Sequence, residues 1–169
     1  MQIETLKVGY LQTNCYILTK ANKTIIIDPG DEIEKILKAS ENKNIVGILV
    51  THHHFDHIGA LKELEQRFLL KHNPEKIEGF NYQMISSPGH TKDSQIIFFK
   101  EENILFSGDF IFYHTIGRWD LDGGDFSEMQ QSIKEILKWH QNPIIYPGHG
   151  QTTTLKEEIP YLRLYIEKN

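Results

Sequence analysis

Four histidines and an aspartate fall within six positions, His52, His53, His54, Asp56 and His57, interrupted only by Phe55 and set directly after the apolar run 45–50. In extended chain, residues 52, 54 and 56 project to one side, and a turn into a following helix can bring His57 beside Asp56. Imidazole and carboxylate are borderline ligands that suit zinc, iron or manganese, and four of them converging at a strand end exceed what one ion needs. A pair of metals is the natural reading. The plainer alternative is a solvated histidine-rich loop. His53, between two inward positions, points the other way.

Three further strand ends carry matching chemistry. Ser87-Pro88-Gly89-His90-Thr91, Ser107-Gly108-Asp109 and Tyr146-Pro147-Gly148-His149-Gly150 each follow a short apolar run. Each sets one ligand-type residue beside a glycine that permits a tight turn. Singly, a Pro-Gly-His is an ordinary turn; together with the histidine cluster, the recurrence points to one metal centre.

The elements that must position these turns are short. Strand-like runs, β-branched or aromatic and bounded by Gly, Pro, Asn or Asp, lie at 1–8, 15–19, 24–27, 45–50, 82–85, 95–99, 104–106 and 143–146. Apolar residues three and four apart predict helices through Ile33, Ile36 and Leu37, through Ile58, Leu61, Leu64 and Phe68, and through Met129, Ile133, Ile136 and Leu137. Ser127 with Gln130 reads as a capping box for the third, with Asp125 near the cap. A last helix is predicted over Leu155–Ile166 in spite of Pro160. This order predicts two packed sheets with helices outside, an α/β (α+β) sandwich. No G-x-G-x-x-G or G-x-x-x-x-G-K-[ST] occurs, which removes the main reason to prefer a doubly wound nucleotide fold.

With 169 residues and no linker, repeat or low-complexity tract, a single domain over 1–169 is expected. Eighteen lysines and arginines against 23 aspartates and glutamates give a net charge of −5, which repels polyanions and disfavours nucleic-acid binding. The one cysteine, Cys15, lies in an apolar strand and reads as a buried, inert thiol. No run of 18 apolar residues and no apolar leader is present, so a cytoplasmic protein without membrane attachment is expected.

The motif series resembles the metallo-β-lactamase-fold hydrolases over nearly the whole chain: Asp28-Pro29-Gly30, the H-x-H-x-D-H stretch at 52–57, then His90, Asp109 and His149 in order. The resemblance implies a four-layer αββα sandwich holding two divalent metal ions. His52, His54 and His90 would hold one, Asp56, His57 and His149 the other, and Asp109 would bridge them. Asp28 would orient the loops without ligating. Within the superfamily, Gly108-Asp109 through Ile116-Gly117-Arg118-Trp119-Asp120, and Pro147-Gly148-His149-Gly150 with Thr153-Thr154, resemble the small bacterial glyoxalase II-like (hydroxyacylglutathione hydrolase-like) proteins. Lys92-Asp93 and His114 depart from the common pattern. Full-length glyoxalase II adds a helical C-terminal region for glutathione, which the 20 or so residues after His149 are not expected to supply.

That resemblance implies a hydrolase working through a metal-bridging hydroxide, with zinc the first expectation and iron or manganese next. The ions would bring the pKa of a bound water toward ~7 and polarise the substrate carbonyl. Asp56, itself a ligand, would be the catalytic proton acceptor. A leaving thiolate, with a pKa near ~8.5, needs no prior protonation, so a small-molecule thioester of the hydroxyacylglutathione type is expected. A monomer or small homo-oligomer is expected. The alternative is a persulfide dioxygenase-like oxidoreductase of the same fold, with a single iron on His52, His90 and Asp109. Arg118 either clamps an anionic substrate or pairs with Asp120 to hold its loop. His114, five residues after Asp109, either serves substrate or a proton, or makes a structural hydrogen bond. His72 and His140 read as surface residues.

Overall fold

The densest β-branched run of the chain, Thr24-Ile25-Ile26-Ile27, becomes an inner strand. The computed structural model describes residues 1–166, in two compact units, Met1–Asn81 and the chain from Tyr82 onward. In the first, β1 (Gln2–Val8), β2 (Thr13–Lys20) and β3 (Lys23–Ile27) are antiparallel neighbours. After helix α1 (Ile33–Ala39), β4 (Ile45–Leu49) runs parallel to β3. A parallel neighbour requires a crossover, and α1 supplies it. Seven residues do not make a stable helix alone, and no side chain caps α1. Packing holds it: Ile36 is fully buried, a burial that contributes about 2–3 kcal/mol.

The predicted helical run from Ile58 to Phe68 is broken in two, α2 (Phe55–Ile58) and α3 (Leu61–Phe68). The turn after β3 causes the break. Ala60 N donates to Pro29 O at 3.0 Å, and Gly59 lies so close to Gly30 that a Cβ there would stand 2.1 Å from the Gly30 carbonyl oxygen. Leu61 and Leu64 of α3, with Phe68 beside them, pack with Ile36 against Cys15, Ile17, Ile26 and Ile48. Burial pushes the Cys15 thiol well above its ordinary pKa, and the charge of Asp28 adds to the shift. The thiolate, which is the reactive form, is thereby suppressed.

In the second unit β5 (Gln83–Ser86), β6 (Gln95–Phe99) and β7 (Ile104–Gly108) are antiparallel in series. A two-stranded ribbon, β8 (Ile111–Phe112) with β9 (Thr115–Ile116), follows. After α4 (Phe126–Ile136), β10 (Ile144–Pro147) lies parallel to β7. At its far side is β11 (Thr153–Thr154), which leads into α5 (Leu155–Arg163). Met129, Ile133 and Ile136 of α4 and Leu155 and Leu162 of α5 pack on Ile96, Phe98, Leu105 and Ile145 of the sheet. Two sheets, each with its own helices, are the make-up expected of the αββα class. The two-residue strands β8, β9 and β11 escape sequence reading because they are too short to show a period. Among the described residues no helix is long and apolar enough to cross a membrane.

Two helix ends differ from expectation. Leu164, Tyr165 and Ile166 donate to carbonyls three residues back, so α5 tightens into turns after Arg163. The cap of α4 is Asp125, whose Oδ1 accepts from Glu128 N at 2.9 Å, and not Ser127. Asp125 has the extended backbone a cap needs, whereas Ser127 already lies in the first turn. Replacing Asp125 with Ala should therefore cost about 1 kcal/mol, roughly 2–4 °C in a melting curve for a chain of this size. Ser127→Ala, measured alongside, should leave the midpoint nearly unmoved.

Candidate metal centre

In the first unit the candidate ligands are organised by one carboxylate. Asp28 ends β3 with φ 50° and is 1% exposed. It accepts from Thr51 N and Thr51 Oγ1, both at 2.7 Å, and pairs with His57 Nδ1 at 3.0 Å. A carboxylate only accepts, so His57 carries its proton on Nδ1 and keeps a lone pair on Nε2. The Thr51 hydroxyl has given its proton to Asp28, so its oxygen accepts from His52 Nδ1 at 3.1 Å. His52 is thereby fixed in the same tautomer. Its Nε2 stands 3.2 Å from His54 Nδ1. Asp56, on α2, has Oδ2 held by the Thr13 hydroxyl at 2.8 Å and lies 3.5 Å from His57 Nε2. A Cβ on Gly30 would stand 1.7 Å from the Asp56 carbonyl oxygen, so only glycine lets this turn meet α2. Beside Asp56 is a cavity of about 280 Å³ walled by Tyr10, Leu11 and Phe55.

In the second unit His90, Asp109 and His149 come together at the ends of β5, β7 and β10. His90 Nδ1 donates to the Arg118 carbonyl at 2.6 Å, again leaving Nε2 as the lone-pair atom. Asp109 Oδ2 lies 3.4 Å from His90 Nε2 and 3.5 Å from His149 Nε2, so one carboxylate oxygen serves two imidazoles. The His90 turn rests on α4: Asp125 N donates to Gly89 O and Ser132 Oγ to Pro88 O. Gly89 has φ 137°, and a Cβ there would meet Met129 Cα at 2.4 Å. A Cβ on Gly117 would stand 1.8 Å from the Asp109 carbonyl oxygen.

These distances fit a metal better than direct pairing. Bonds of ~2.0–2.1 Å in tetrahedral geometry set ligand atoms about 3.3 Å apart, whereas direct hydrogen bonds fall near ~2.9 Å. The four pairs measure 3.2, 3.4, 3.5 and 3.5 Å. Three of the imidazoles also donate their other nitrogen to oxygen, the arrangement that orients metal-ligating histidine.

The remaining sequence candidates are placed as follows. The Arg118 guanidinium makes a bidentate pair with Asp120, both bonds 2.9 Å, with both side chains exposed. The pair raises the Arg118 pKa and holds the Asp120 carboxyl below its usual range. Of Arg118, the part that touches a candidate ligand is the main-chain carbonyl. His114 has φ 60° and stacks between Tyr113 and Tyr161 at 3.7 and 3.9 Å, its amide donating to the buried carboxylate of Glu158. His140 is exposed, as expected. His72 is partly exposed, with its ring bonded to Glu65 and its segment tied to β4. The Thr13 hydroxyl and the Arg118 carbonyl escape sequence reading. A threonine in a strand carries no signal of its role, and a carbonyl carries none at all.

Comparison with known proteins adds a family. The profile described as the Metallo-beta-lactamase superfamily matches residues 8–83 and 68–149. The hydroxyacylglutathione hydrolase GloC of Haemophilus influenzae is 30% identical, the match covering 94% of this chain and 95% of that protein. Among solved structures, BLEG-1 B3 metallo-beta-lactamase is similar with a TM-score of 0.87 and 28% identity, over 97% of this chain and 99% of that one. TTHA1623 in a di-iron-bound form is similar with a TM-score of 0.83 and 29% identity, over 92% and 96%.

Two substitutions separate the supporting groups. Thr13→Val removes the hydroxyl that holds Asp56 and should weaken metal retention about 10- to 100-fold in a chelator competition. Arg118→Ala keeps the carbonyl under His90 and should retain the full metal content by elemental analysis.

Proposed function

The chain belongs to the metallo-β-lactamase superfamily, and from that premise we propose that it is a binuclear metal-dependent hydrolase of thioesters of the hydroxyacylglutathione type. The family's fold implies divalent metal ions, and histidine–aspartate clusters are present in both units. The observation that carries the binuclear reading is Asp109 Oδ2, 3.4 and 3.5 Å from His90 and His149. Those two imidazoles belong to different ligand sets in this reading. By the family's motif series, His52, His54 and His90 would hold one ion, Asp56, His57 and His149 would hold the other, and Asp109 would bridge them. The donors suit zinc first and iron second, and the di-iron form of TTHA1623 supports keeping iron in view.

When bound, two such cations supply ionised water at neutral pH and polarise a scissile carbonyl. Asp56 would orient the attacking water and take up its proton at a carboxylate oxygen, with the Thr13 hydroxyl keeping the carboxylate from swinging. Asp28 keeps His57 and, through Thr51, His52 in the tautomers that present Nε2. The apolar wall of Tyr10, Leu11 and Phe55 beside Asp56 offers a surface for the organic part of a small substrate. A thioester suits this residue set because its thiolate leaves without a proton. An amide would want a general acid. The GloC relative, at 30% identity, supports the same substrate class.

The test is metal analysis together with turnover of S-D-lactoylglutathione, a wider thioester panel and a β-lactam control. Two metals per chain and thioester hydrolysis are expected, and Asp109→Ala should leave at most one metal and lose on the order of a thousandfold in kcat/KM. One iron per chain with oxygen uptake on glutathione persulfide would instead establish the mononuclear dioxygenase reading. Silence across every thioester would sink the substrate class.

A further inference from the structure

A second group of potential ligands lies within the first unit and is not used by the centre described above. His53 Nε2 and His72 Nε2 approach to 3.3 Å, with ring centroids 5.4 Å apart and planes at 69°. That separation matches the ~3.3 Å edge of a tetrahedral site with bonds of ~2.0–2.1 Å. His72 Nδ1 lies 2.8 Å from Glu65 Oε1, so it carries the proton and leaves Nε2 as the lone-pair atom. Burial works to raise the Glu65 pKa, but the side-chain and backbone hydrogen bonds from His72 prevail and hold it below the ordinary value. Glu65 therefore stands as an ionised partner behind an imidazole, the same carboxylate–histidine pattern that orients metal ligands elsewhere.

The pair is carried by anchored chain. Glu65 is on α3 and also accepts from His72 N at 2.9 Å. The His72 segment is laid along β4: His72 bridges Ile48 in parallel, and Asn73 N donates to Ile48 O at 3.0 Å. The Asn73 side chain then pairs with both the N–H and the carbonyl of Val50, at 2.7 and 3.1 Å. His53 follows three residues after Val50, so both imidazoles are referred to the end of the same strand. His53 is exposed and the His72 side chain is 31% exposed, which leaves water to complete a coordination shell.

We propose that His53 and His72 form an accessory site for a divalent transition-metal cation, with Glu65 holding His72 in the ligating tautomer. Two imidazoles and water suit zinc, nickel or copper(II), and disfavour the hard cations calcium and magnesium. The site is separate from the seven-residue set and does not depend on the proposed activity.

Zinc is the probe. Protein saturated with zinc, freed of excess metal and titrated calorimetrically with further Zn²⁺ should take up one more equivalent per chain. His72→Ala and His53→Gln should each lose that equivalent. Since His53 is exposed, its variant guards against a folding defect at His72. Glu65→Gln should keep the stoichiometry and weaken the binding at least about tenfold, an effect that a merely structural glutamate would not produce. Absence of an extra equivalent, or its survival in both histidine variants, overturns the proposal, and in that case the 3.3 Å contact is an N–H···N hydrogen bond.

Discussion

The buried carboxylate of Asp28 is the constraint on which the first unit turns. An ionised carboxyl at 1% exposure is costly unless its oxygens are paired. Here the pairing uses the Thr51 amide, the Thr51 hydroxyl and the His57 ring. The residue also sits at φ 50°, a conformation that aspartate tolerates better than most side chains. The left-handed turn brings the carboxylate to the end of β4, and the proton positions of two histidines follow from it. Geometry and protonation are thus set by one group, and neither can change without the other.

The second unit reaches a similar result with a different donor. Its first three strands and β10 repeat the order of the first four, antiparallel, antiparallel, then parallel across a helix. In both units an aspartate follows the third strand, Asp28 or Asp109, and a histidine follows the parallel partner, His52 or His149. Parallel strands end on the same side, so adjacent carboxyl ends deliver an acid and an imidazole together. The roles differ: Asp28 supports its histidines from behind, whereas Asp109 faces two imidazole Nε2 atoms. The backbone carbonyl of residue 118 supports His90 from behind instead.

Much of this was legible in the sequence because periodicity and residue chemistry act locally. The apolar runs became the strands, Ile33-Ile36-Leu37 and Met129-Ile133-Ile136 became helix faces, and the chemistry-bearing residues sat at strand ends. What escaped depends on contacts distant in sequence or on groups without a signature. Nothing near Gly59 announces that Pro29 will take the Ala60 amide and split the helix. Ser127 and Asp125 both satisfy a capping pattern, with Gln130 and Glu128 respectively, and only the backbone conformation at 125 decides between them. The stacking of His114 between Tyr113 and Tyr161 joins residues almost fifty apart. The role of the Thr13 hydroxyl needs a partner 43 residues away.

The contact between His90 and the main chain at position 118 divides that loop by evolutionary freedom. A carbonyl is present whatever side chain occupies the position, so inheritance of the contact is indifferent to mutation there. Gly117, with the Asp109 carbonyl 1.8 Å from where a Cβ would be, has no such latitude. A lineage can therefore explore new surface chemistry at 118 and 120 while the neighbouring glycine stays fixed. The loop is built to diversify outwardly at little risk to what lies beneath it.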